Sequence, residues 1–494
     1  MSKNVKTLLY IGIFVACMAL VLGILVLTDR EPAEDENNEV VTDVSYLVEG
    51  SREQLESILI ENKINTFTVG RNAKGLVIKE LEGLDQNSTL LNAVGNCIAS
   101  ITTAQLVEEN AADLAKYGLA EDDYEAKVTV TKYGNTQYVV YFGDTTPDGD
   151  TVYVRLADSK AVYTTKATSS SYFYYDMHEF LNLIMMEELS QANTAPTIDF
   201  LTVTRKDLGY DIKFEDDTKN YSADEISMAS SQVMIEPVYA YLDITNSNDV
   251  VYGLWGLKAE AAEKAFPTEE DMAEYGLDDP FCTVKLEAEL QVYELIIGDP
   301  AGYYYDEEGN VSDEVSHRYG YFKGRDCVYV FTTEELIWST FMPIDITSSL
   351  MTSNYIYALD YVDIRLDNQE KVDYYFDLNC DIDNATMEGT LNKLDPVRPE
   401  DFKILYQFML KCPIDQMCLE DPAEDAKLLC YIDYRRADGG GDILEFYDDG
   451  NNRVTIKLNG VTSFSQPKNY LNVLEQNLKI YAEGGSAADL HEVW

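Results

Sequence analysis

Two stretches of this chain, Tyr117-Gly118-Leu119 and Tyr275-Gly276-Leu277, carry the same tripeptide, and a Gly-Asp pair follows each at a similar distance. The pairs are Gly143-Asp144 and Gly298-Asp299. Between tripeptide and pair, both copies contain two runs of alternating apolar and polar residues, which is typical of half-buried strands. The shared order of turn, strand, strand and turn indicates duplication of one structural block.

A third strand-like run closes each copy, at residues 161–164 and 327–330, and both runs contain Val-Tyr. We therefore predict two repeat units, residues 44–191 and 195–350, with the glycines as turn residues that tolerate a left-handed backbone. In the first unit, apolar residues recur at helical spacing after Ser88, which is the predicted N-cap.

The C-terminal segment, residues 355–494, follows the same plan more loosely. Strand-like runs, a helix after Pro399, further strands and a closing amphipathic helix occur in that order, but Tyr-Gly-Leu does not. This order favours the hypothesis of a diverged third copy. The predicted fold class is α+β, with tandem units of antiparallel sheet and one helix packed on each, preceded by a transmembrane helix.

The N-terminal run is apolar and uncharged for about 20 residues, the length that spans a bilayer core as a helix. Lysines precede it and acidic residues follow it. The positive-inside rule then predicts a cytoplasmic segment (1–7), a single-pass anchor (8–28), an acidic linker (29–43) and an extracytoplasmic remainder. A cleaved signal peptide and a lipoprotein site at Cys17 are alternatives that fit less well, because no small-x-small exit follows the apolar run.

The chain has 37 basic and 88 acidic residues and a formal net charge of −51. That balance argues against non-specific nucleic-acid binding, which requires a basic footprint. The eight cysteines include no Cys-x-x-Cys, so we expect mainly buried free thiols. Cys282 and Cys327 lie on strands of one unit and form an alternative disulfide pair.

Catalytic signatures are missing from the sequence. The three histidines, His178, His317 and His491, have no metal-ligand spacing, and Gly-x-Ser-x-Gly, P-loop and dinucleotide motifs do not occur. We predict no catalytic residue, cofactor or metal ligand. Asp144, Asp148 and Asp150 place three carboxylates in one turn, which leaves Ca²⁺ as an alternative to an ordinary solvated turn.

Tyrosine is abundant, with 36 residues. Clusters occur at residues 172–175 and at Tyr303, Tyr304 and Tyr305. Exposed tyrosines anchor protein interfaces or stack on sugars. The second cluster lies in an insertion of the second unit, so it is the better candidate interaction surface.

The paired Tyr-Gly-Leu and Gly-Asp motifs, with the Val-Tyr strand that follows each, resemble the bacterial membrane-anchored family called domain of unknown function 4340. The resemblance covers about residues 44–333. It implies a single-pass extracytoplasmic protein that works beside an ABC-type exporter, as an auxiliary part of a gliding-motility-like transport system. It implies no catalytic residues.

The expected function is therefore that of a non-enzymatic, membrane-anchored accessory or scaffold protein of an ABC-type transport complex. Its expected partners are the membrane, through the N-terminal helix, and transporter permease subunits, with no nucleic acid. A surface module that binds envelope glycan or another polymer is the first alternative, and an envelope hydrolase is the second.

Overall fold

The computed structural model describes residues 45–190, 196–217, 230–306, 308–367, 373–412 and 414–491. The predicted cytoplasmic segment, anchor and linker therefore lie outside the described residues. Within the described ranges, none of the helices has both the length and the apolar character needed to cross a bilayer.

The first of three large sheets, with a two-stranded ribbon (β1 and β5) beside it, is built from the N-terminal third of the chain. The ribbon consists of β1 Tyr46–Val48 and β5 Ile101–Thr102. The eight strands of the sheet are β2 Leu55–Asn62, β3 Thr66–Asn72, β4 Gly75–Ile78, β6 Gln105–Glu108, β7 Ala126–Lys132, β8 Thr136–Thr145, β9 Thr151–Leu156 and β10 Val162–Lys166.

The second and third sheets have nine strands each. The second contains β11 Ile198–Arg205, β12 Asp211–Asp216, β13 Gln232–Glu236, β14 Ala240–Tyr241, β15 Ala261–Ala265, β16 Cys282–Ala288, β17 Gln291–Tyr305, β18 Val311–Phe322 and β19 Cys327–Thr332. The third contains β20 Leu359–Leu366, β21 Asp373–Asp381, β22 Thr386–Leu391, β23 Asp395–Pro396, β24 Gln416–Met417, β25 Leu428–Arg436, β26 Gly441–Asp448, β27 Arg453–Leu458 and β28 Val461–Pro467.

Helices are few. The α-helices are α1 Ser88–Ala99, α2 Ala167–Ser170, α3 Asn248–Tyr252, α4 Glu269–Glu274, α5 Pro399–Leu410 and α6 Asn469–Ala482. Short 3₁₀ helices occur at Arg52–Gln54, Lys79–Leu81, Ala115–Tyr117, Ser171–Tyr174, Met177–Phe180, Ile337–Ser339, Pro343–Ile346, Ile356–Ala358 and Ala487–Asp489.

All three sheets are antiparallel and share one strand order, except that the second and third sheets have one further edge strand, β14 and β23. The orders are β4-β3-β2-β7-β8-β9-β10-β6, β14-β13-β12-β11-β16-β17-β18-β19-β15 and β23-β22-β21-β20-β25-β26-β27-β28-β24. In each sheet the opening strands run outward from the centre to one edge. The chain then crosses to the far edge, returns to the centre, and its last four strands fill the gap. The third sheet follows this plan without a Tyr-Gly-Leu motif.

The prediction of antiparallel sheets is confirmed, but the prediction of one helix packed on each sheet is too simple. The α-helices described between β11 and β19 have only five and six residues. In the first unit, α1 buries Leu91, Val94 and Ile98 at helical spacing, as predicted. Its N-cap is Asn87 and not Ser88, because the Asn87 side chain accepts hydrogen bonds from the next backbone N–H groups.

The core follows from strand alternation. In β7, every second residue is buried, at Ala126, Val128 and Val130, and these side chains belong to the same buried cluster as the apolar residues of α1. One continuous cluster of buried apolar side chains includes members from all three sheets. A separate small cluster, which includes Leu119 and Tyr141, covers the opposite face of the first sheet.

Candidate functional site

The two Tyr-Gly-Leu motifs form the same turn. Gly118 follows the 3₁₀ helix Ala115–Tyr117 with φ of 63°, and Gly276 follows α4 with φ of 66°. This left-handed backbone is strained for residues that carry a Cβ, which explains glycine at both positions. The leucine that follows each glycine is buried, so each motif turns the chain and anchors it.

The Gly-Asp pairs complete the same structure. A Cβ at Gly143 would lie 2.1 Å from the carbonyl oxygen of Tyr117, and a Cβ at Gly298 would lie 2.2 Å from that of Tyr275. Real Cβ atoms do not approach so closely, so both strands require glycine there. The Asp299 N–H donates a hydrogen bond to the Tyr275 oxygen at 3.0 Å.

Aspartate and tyrosine side chains close both turns. The Asp144 carboxylate lies against Gly118, and the Asp299 carboxylate lies against Gly276. Tyr117 packs on Tyr153 with ring centroids 4.8 Å apart, and Tyr275 packs on Tyr319 at 4.6 Å. These ten motif residues thus hold two strands and a turn together, which is a structural role.

The hairpin of β17 and β18 is much longer than its counterpart in the first sheet. The β16–β17 ladder ends at the pair Cys282↔Ile297, and the β18–β19 ladder ends at His317↔Thr332. Beyond these pairs, β17 and β18 continue beside each other to the pair Tyr305↔Val311. We call the described residues of this two-stranded extension, 300–306 and 308–316, the tyrosine arm.

Large apolar side chains of the tyrosine arm face solvent. Tyr303 is 43% exposed, Tyr304 40% and Tyr305 71%, and Val311 beside them is 62% exposed. We call Tyr303, Tyr304 and Tyr305 the arm tyrosines. The cluster at residues 172–175 behaves differently, because Phe173 is buried and its tyrosine neighbours pack against the core. The structure therefore leaves only the arm tyrosines, of these two clusters, available as a contact surface.

The tip of the tyrosine arm is acidic and ordered by its own hydrogen bonds. The Asp306 carboxylate accepts hydrogen bonds from the backbone N–H groups of Glu308 (2.9 Å) and Asn310 (2.8 Å). The hydrogen bond with Asn310 is the main reason why the pKa of Asp306 lies below its usual value. The tip therefore keeps its negative charge at neutral pH.

A hydrogen-bonded chain of three side chains lies where the tyrosine arm joins its sheet. His317 Nδ1 is 2.8 Å from Ser316 Oγ, and His317 Nε2 is 2.6 Å from Glu260 Oε2. Sequence reasoning missed this group, because Glu260 is distant in sequence and meets His317 only through the pairing of β15, β19 and β18. Serine, histidine and a carboxylate in a row resemble a nucleophile relay.

Packing at that group favours a structural role. Ser316 is 6% exposed. A Cβ at Gly302, on the facing strand, would lie 3.2 Å from Ser316 Oγ and 3.1 Å from His317 Nδ1. Gly302 therefore packs closely against both side chains, and the serine hydroxyl is largely buried. The group therefore braces the base of the arm.

In the aspartate turn considered for Ca²⁺, carboxylate oxygens accept hydrogen bonds from groups of the same turn. Asp148 accepts hydrogen bonds from the Thr146 hydroxyl at 2.6 Å and from the Asp150 N–H at 3.2 Å. Asp144 instead lies against Gly118. Across the described ranges, no group of three or more histidine, cysteine or acidic side chains is arranged to hold a metal ion.

The seven cysteines within the described part of the chain are free thiols. Cys282 and Cys327 are both buried, and burial raises the pKa of each thiol to about 12. Both therefore remain protonated and act as small apolar core residues. Cys17 lies outside the described residues.

Two cavities in the described structure have volumes of about 190 Å³ and about 320 Å³. One of about 190 Å³ lies between α1 and β10, lined by residues that include Asn96, Cys97, Thr165 and Phe173. Burial raises the pKa of the Cys97 thiol, so this cysteine is not an activated nucleophile. The lining offers neither paired carboxylates nor a histidine.

Comparison with known proteins gives one match, to a family model that covers part of the chain. No curated protein and no solved structure matches it. Residues 77–243 match the family model described as "Domain of unknown function (DUF4340)". This match is shorter than the expected 44–333: it begins in β4 and ends just after β14, so it includes the first Tyr-Gly-Leu motif but not the second. The resemblance seen in the sequence is thus confirmed for residues 77–243, which match this family model.

Proposed function

We propose that this protein is a non-enzymatic scaffold that binds a protein partner through the tyrosine arm. The observation that carries the proposal is the arm itself, a two-stranded extension of the second sheet with three solvent-facing tyrosines. Tyrosine is enriched at protein interfaces because it combines a large apolar ring with a polar tip. A scaffold also needs a rigid body behind such a contact surface.

The common strand order of the three sheets favours the interpretation that the body of the protein arose by duplication of one unit. Their common strand order is simplest to explain if residues 44–191, 195–350 and 355–494 are copies of one α+β unit. The continuous buried cluster that includes side chains from all three sheets supports a rigid arrangement.

The junction between the first and second units is held by Arg325. Its guanidinium pairs with Asp85 and donates hydrogen bonds to the carbonyl oxygens of Ile184 and Met185, both at 2.8 Å. Three acceptors from the first unit and its connection thus converge on one side chain of the second. Such a planar, multiply bonded contact restricts rotation between units.

The junction between the second and third units is held by Asp442, which is fully buried. Its carboxylate accepts hydrogen bonds from the Tyr241 hydroxyl at 2.6 Å and from the side-chain amides of Asn354 and Asn459, each at 2.8 Å. The Thr352 hydroxyl donates a further hydrogen bond. Of these four donors, Tyr241 belongs to the second unit, so its buried hydrogen bond to Asp442 is kept only when the two units keep this relative position.

The location and the transporter partner are proposed from the sequence and from the family resemblance. The apolar run at residues 8–28 suits a single-pass anchor with the sheets outside the cell membrane. The family resemblance suggests a permease subunit of an ABC-type transport complex as the partner. The arm tyrosines would supply the contact surface for that subunit.

Co-purification tests this proposal. The full chain is extracted from its native membrane in mild detergent, and the captured proteins are identified by mass spectrometry. We expect ABC-type permease subunits with the unaltered chain, and at least tenfold less of them with the triple variant Tyr303→Ala, Tyr304→Ala, Tyr305→Ala. Tyr133→Ala is the matched control, because Tyr133 is 58% exposed in a hairpin turn of the first unit. Repeated isolation of the chain without any permease would contradict the proposal.

Exposed tyrosines also favour a second candidate function, the binding of an envelope glycan, since aromatic rings stack on sugars. A pull-down with isolated wall material distinguishes the two. Retention of the unaltered chain, and loss of retention in the triple variant, would favour the glycan function over the permease.

A further inference from the structure

We propose that the outer edge of the tyrosine arm binds an extended, cationic segment of the partner protein by strand addition. This inference rests on the proposed scaffold function and specifies the chemistry of its partner. Three observations support it: an unpaired strand edge, the arm tyrosines, and an acidic sequence that contains no lysine or arginine from residue 301 to residue 317.

The unpaired edge belongs to β17. The ladder with β16 ends at Ile297, and from residue 301 to residue 305 β17 has a neighbouring strand, β18, on one side only among the described residues. The five residues extend about 16 Å, at about 3.3 Å per residue. An edge of this kind presents N–H and C=O groups that can pair with an added strand.

The opposite strand of the arm is less available. The Thr333 hydroxyl lies 3.3 Å from the carbonyl oxygens of both Val315 and Ser316, and the Thr333 N–H donates to the Ser316 oxygen at 2.9 Å. These contacts cover the base of β18. The geometry thus favours β17 as the edge that accepts the partner.

The charge of the arm selects a basic partner. Asp306, Glu308, Asp313 and Glu314 are exposed, and the sequence from residue 301 to residue 317 contains neither lysine nor arginine. A cationic segment would gain attraction from these carboxylates, whereas an acidic one would be repelled. Arginine side chains can also stack on the arm tyrosines.

A contact between arginine and an aromatic ring already occurs at the base of the arm. The Arg318 guanidinium lies 3.9 Å from the ring centroid of Phe281 and donates to the Gly298 carbonyl oxygen at 3.0 Å. Together with the His317–Glu260 pair, this contact fixes the direction of the arm. A preorganised edge loses little conformational entropy when a strand is added.

Three synthetic ten-residue peptides test the proposal, with the purified full-length chain in detergent and titration calorimetry as the measurement. The first alternates arginine with valine, the second alternates glutamate with valine, and the third is the arginine peptide with N-methyl groups on alternate backbone nitrogens. We expect binding of the first, and at least about tenfold weaker binding of the other two, because one lacks the matching charge and the other cannot pair with a strand edge. Raising the salt concentration from 50 to 500 mM should weaken the first complex.

Variants locate the binding site. The triple arm-tyrosine variant and the pair Asp313→Asn, Glu314→Gln should each weaken binding of the arginine peptide, while Tyr133→Ala should not. Tyr305→Ser, at the most exposed arm position, serves if the triple variant fails to fold. Equal affinity for the N-methylated peptide, or unchanged affinity in the arm variants, would overturn strand addition at this edge. Peptide binding that persists when no permease co-purifies would leave this inference standing and remove the proposed transporter partner.

Discussion

The carbonyl oxygen of Tyr117 packs so closely against Gly143 that a Cβ on Gly143 would lie only 2.1 Å from that oxygen. The same relationship holds between Tyr275 and Gly298, at 2.2 Å. The Tyr-Gly-Leu and Gly-Asp motifs are therefore the two halves of one contact. This contact explains why both motifs occur together and in the same order in each unit.

Replacing these close-contact glycines should destabilise the protein. We expect Gly143→Ala and Gly298→Ala each to lower the free energy of unfolding by about 3 kcal/mol, because the added methyl group forces the strand away from the turn. Urea denaturation followed by circular dichroism measures the change. Gly209→Ala is the matched control, since Gly209 is exposed and nothing lies within 4 Å of its Cβ position. Equal stability of Gly143→Ala and Gly209→Ala would contradict this account of the motif.

Removal of the buried Asp442 carboxylate, at the junction of the second and third units, should lower the free energy of unfolding more than removal of an exposed carboxylate. Asp442→Ala leaves Tyr241, Thr352, Asn354 and Asn459 without their shared acceptor, so we expect a loss of about 3–5 kcal/mol. The measurement is chemical denaturation, with hydrogen exchange to show that protection falls on both sides of the junction.

The control for that experiment is Asp383→Ala, in an exposed turn of the third unit. Its stability should stay within about 0.5 kcal/mol of the unaltered chain. If Asp442→Ala were as stable as this control, the carboxylate would not hold the two units together.

Two buried tyrosines of the third unit should respond differently to removal of the hydroxyl. The Tyr406 hydroxyl donates to the Asn354 carbonyl oxygen at 2.7 Å, whereas the Tyr434 hydroxyl has no hydrogen-bond partner among the described residues. We expect Tyr406→Phe to cost about 1 kcal/mol at pH 7 and Tyr434→Phe to cost nothing measurable. Thermal unfolding compares the two variants directly, and a larger loss in Tyr434→Phe would reverse the interpretation.

Alkaline pH should unfold the chain. Burial raises the pKa of Tyr406, Tyr434 and Tyr470 well above the usual value, while the same groups in the unfolded chain titrate near pH 10, at about that value. Above that pH the unfolded chain releases protons that the folded chain keeps. Stability is therefore fully present below about pH 10 and falls as pH rises further, by up to about 1.4 kcal/mol per pH unit for each tyrosine.

Absorbance at 295 nm, recorded with circular dichroism, checks this expectation. The buried tyrosines should ionise only together with unfolding, and Tyr434→Phe should make the loss of stability with pH less steep. Full ionisation of all tyrosines in a chain that is still folded would be incompatible with these buried positions.

Features that depend on residues close together in the sequence, such as strands and turns, could be predicted. Alternation predicted the strands, and the glycines at positions 118 and 276 predicted the turns. The cluster that contains Tyr303 was predicted to be a better contact surface than the cluster at residues 172–175. It lies in an insertion between paired strands, and such insertions are most often at the surface.

Contacts between distant residues could not be predicted in this way. Tyr241 and Asp442 are 201 residues apart, and only the packing of the second unit on the third brings them together. Glu260 and His317 meet because β15 crosses to the far edge of its sheet. The N-cap of α1 was misplaced by one residue, since Asn87 and Ser88 are both good capping residues and only the backbone geometry decides between them.

The most direct test of the central claim, that this protein works through the tyrosine arm, is photo-crosslinking in the native membrane. A photoreactive phenylalanine analogue replaces Tyr304 in one variant and Tyr133 in another. We expect a discrete crosslinked product with an ABC-type permease subunit from position 304 and not from position 133. That product should be lost when Tyr303 and Tyr305 are also changed to alanine. Identical products from positions 304 and 133, or a permease product that persists without the other two arm tyrosines, would contradict it.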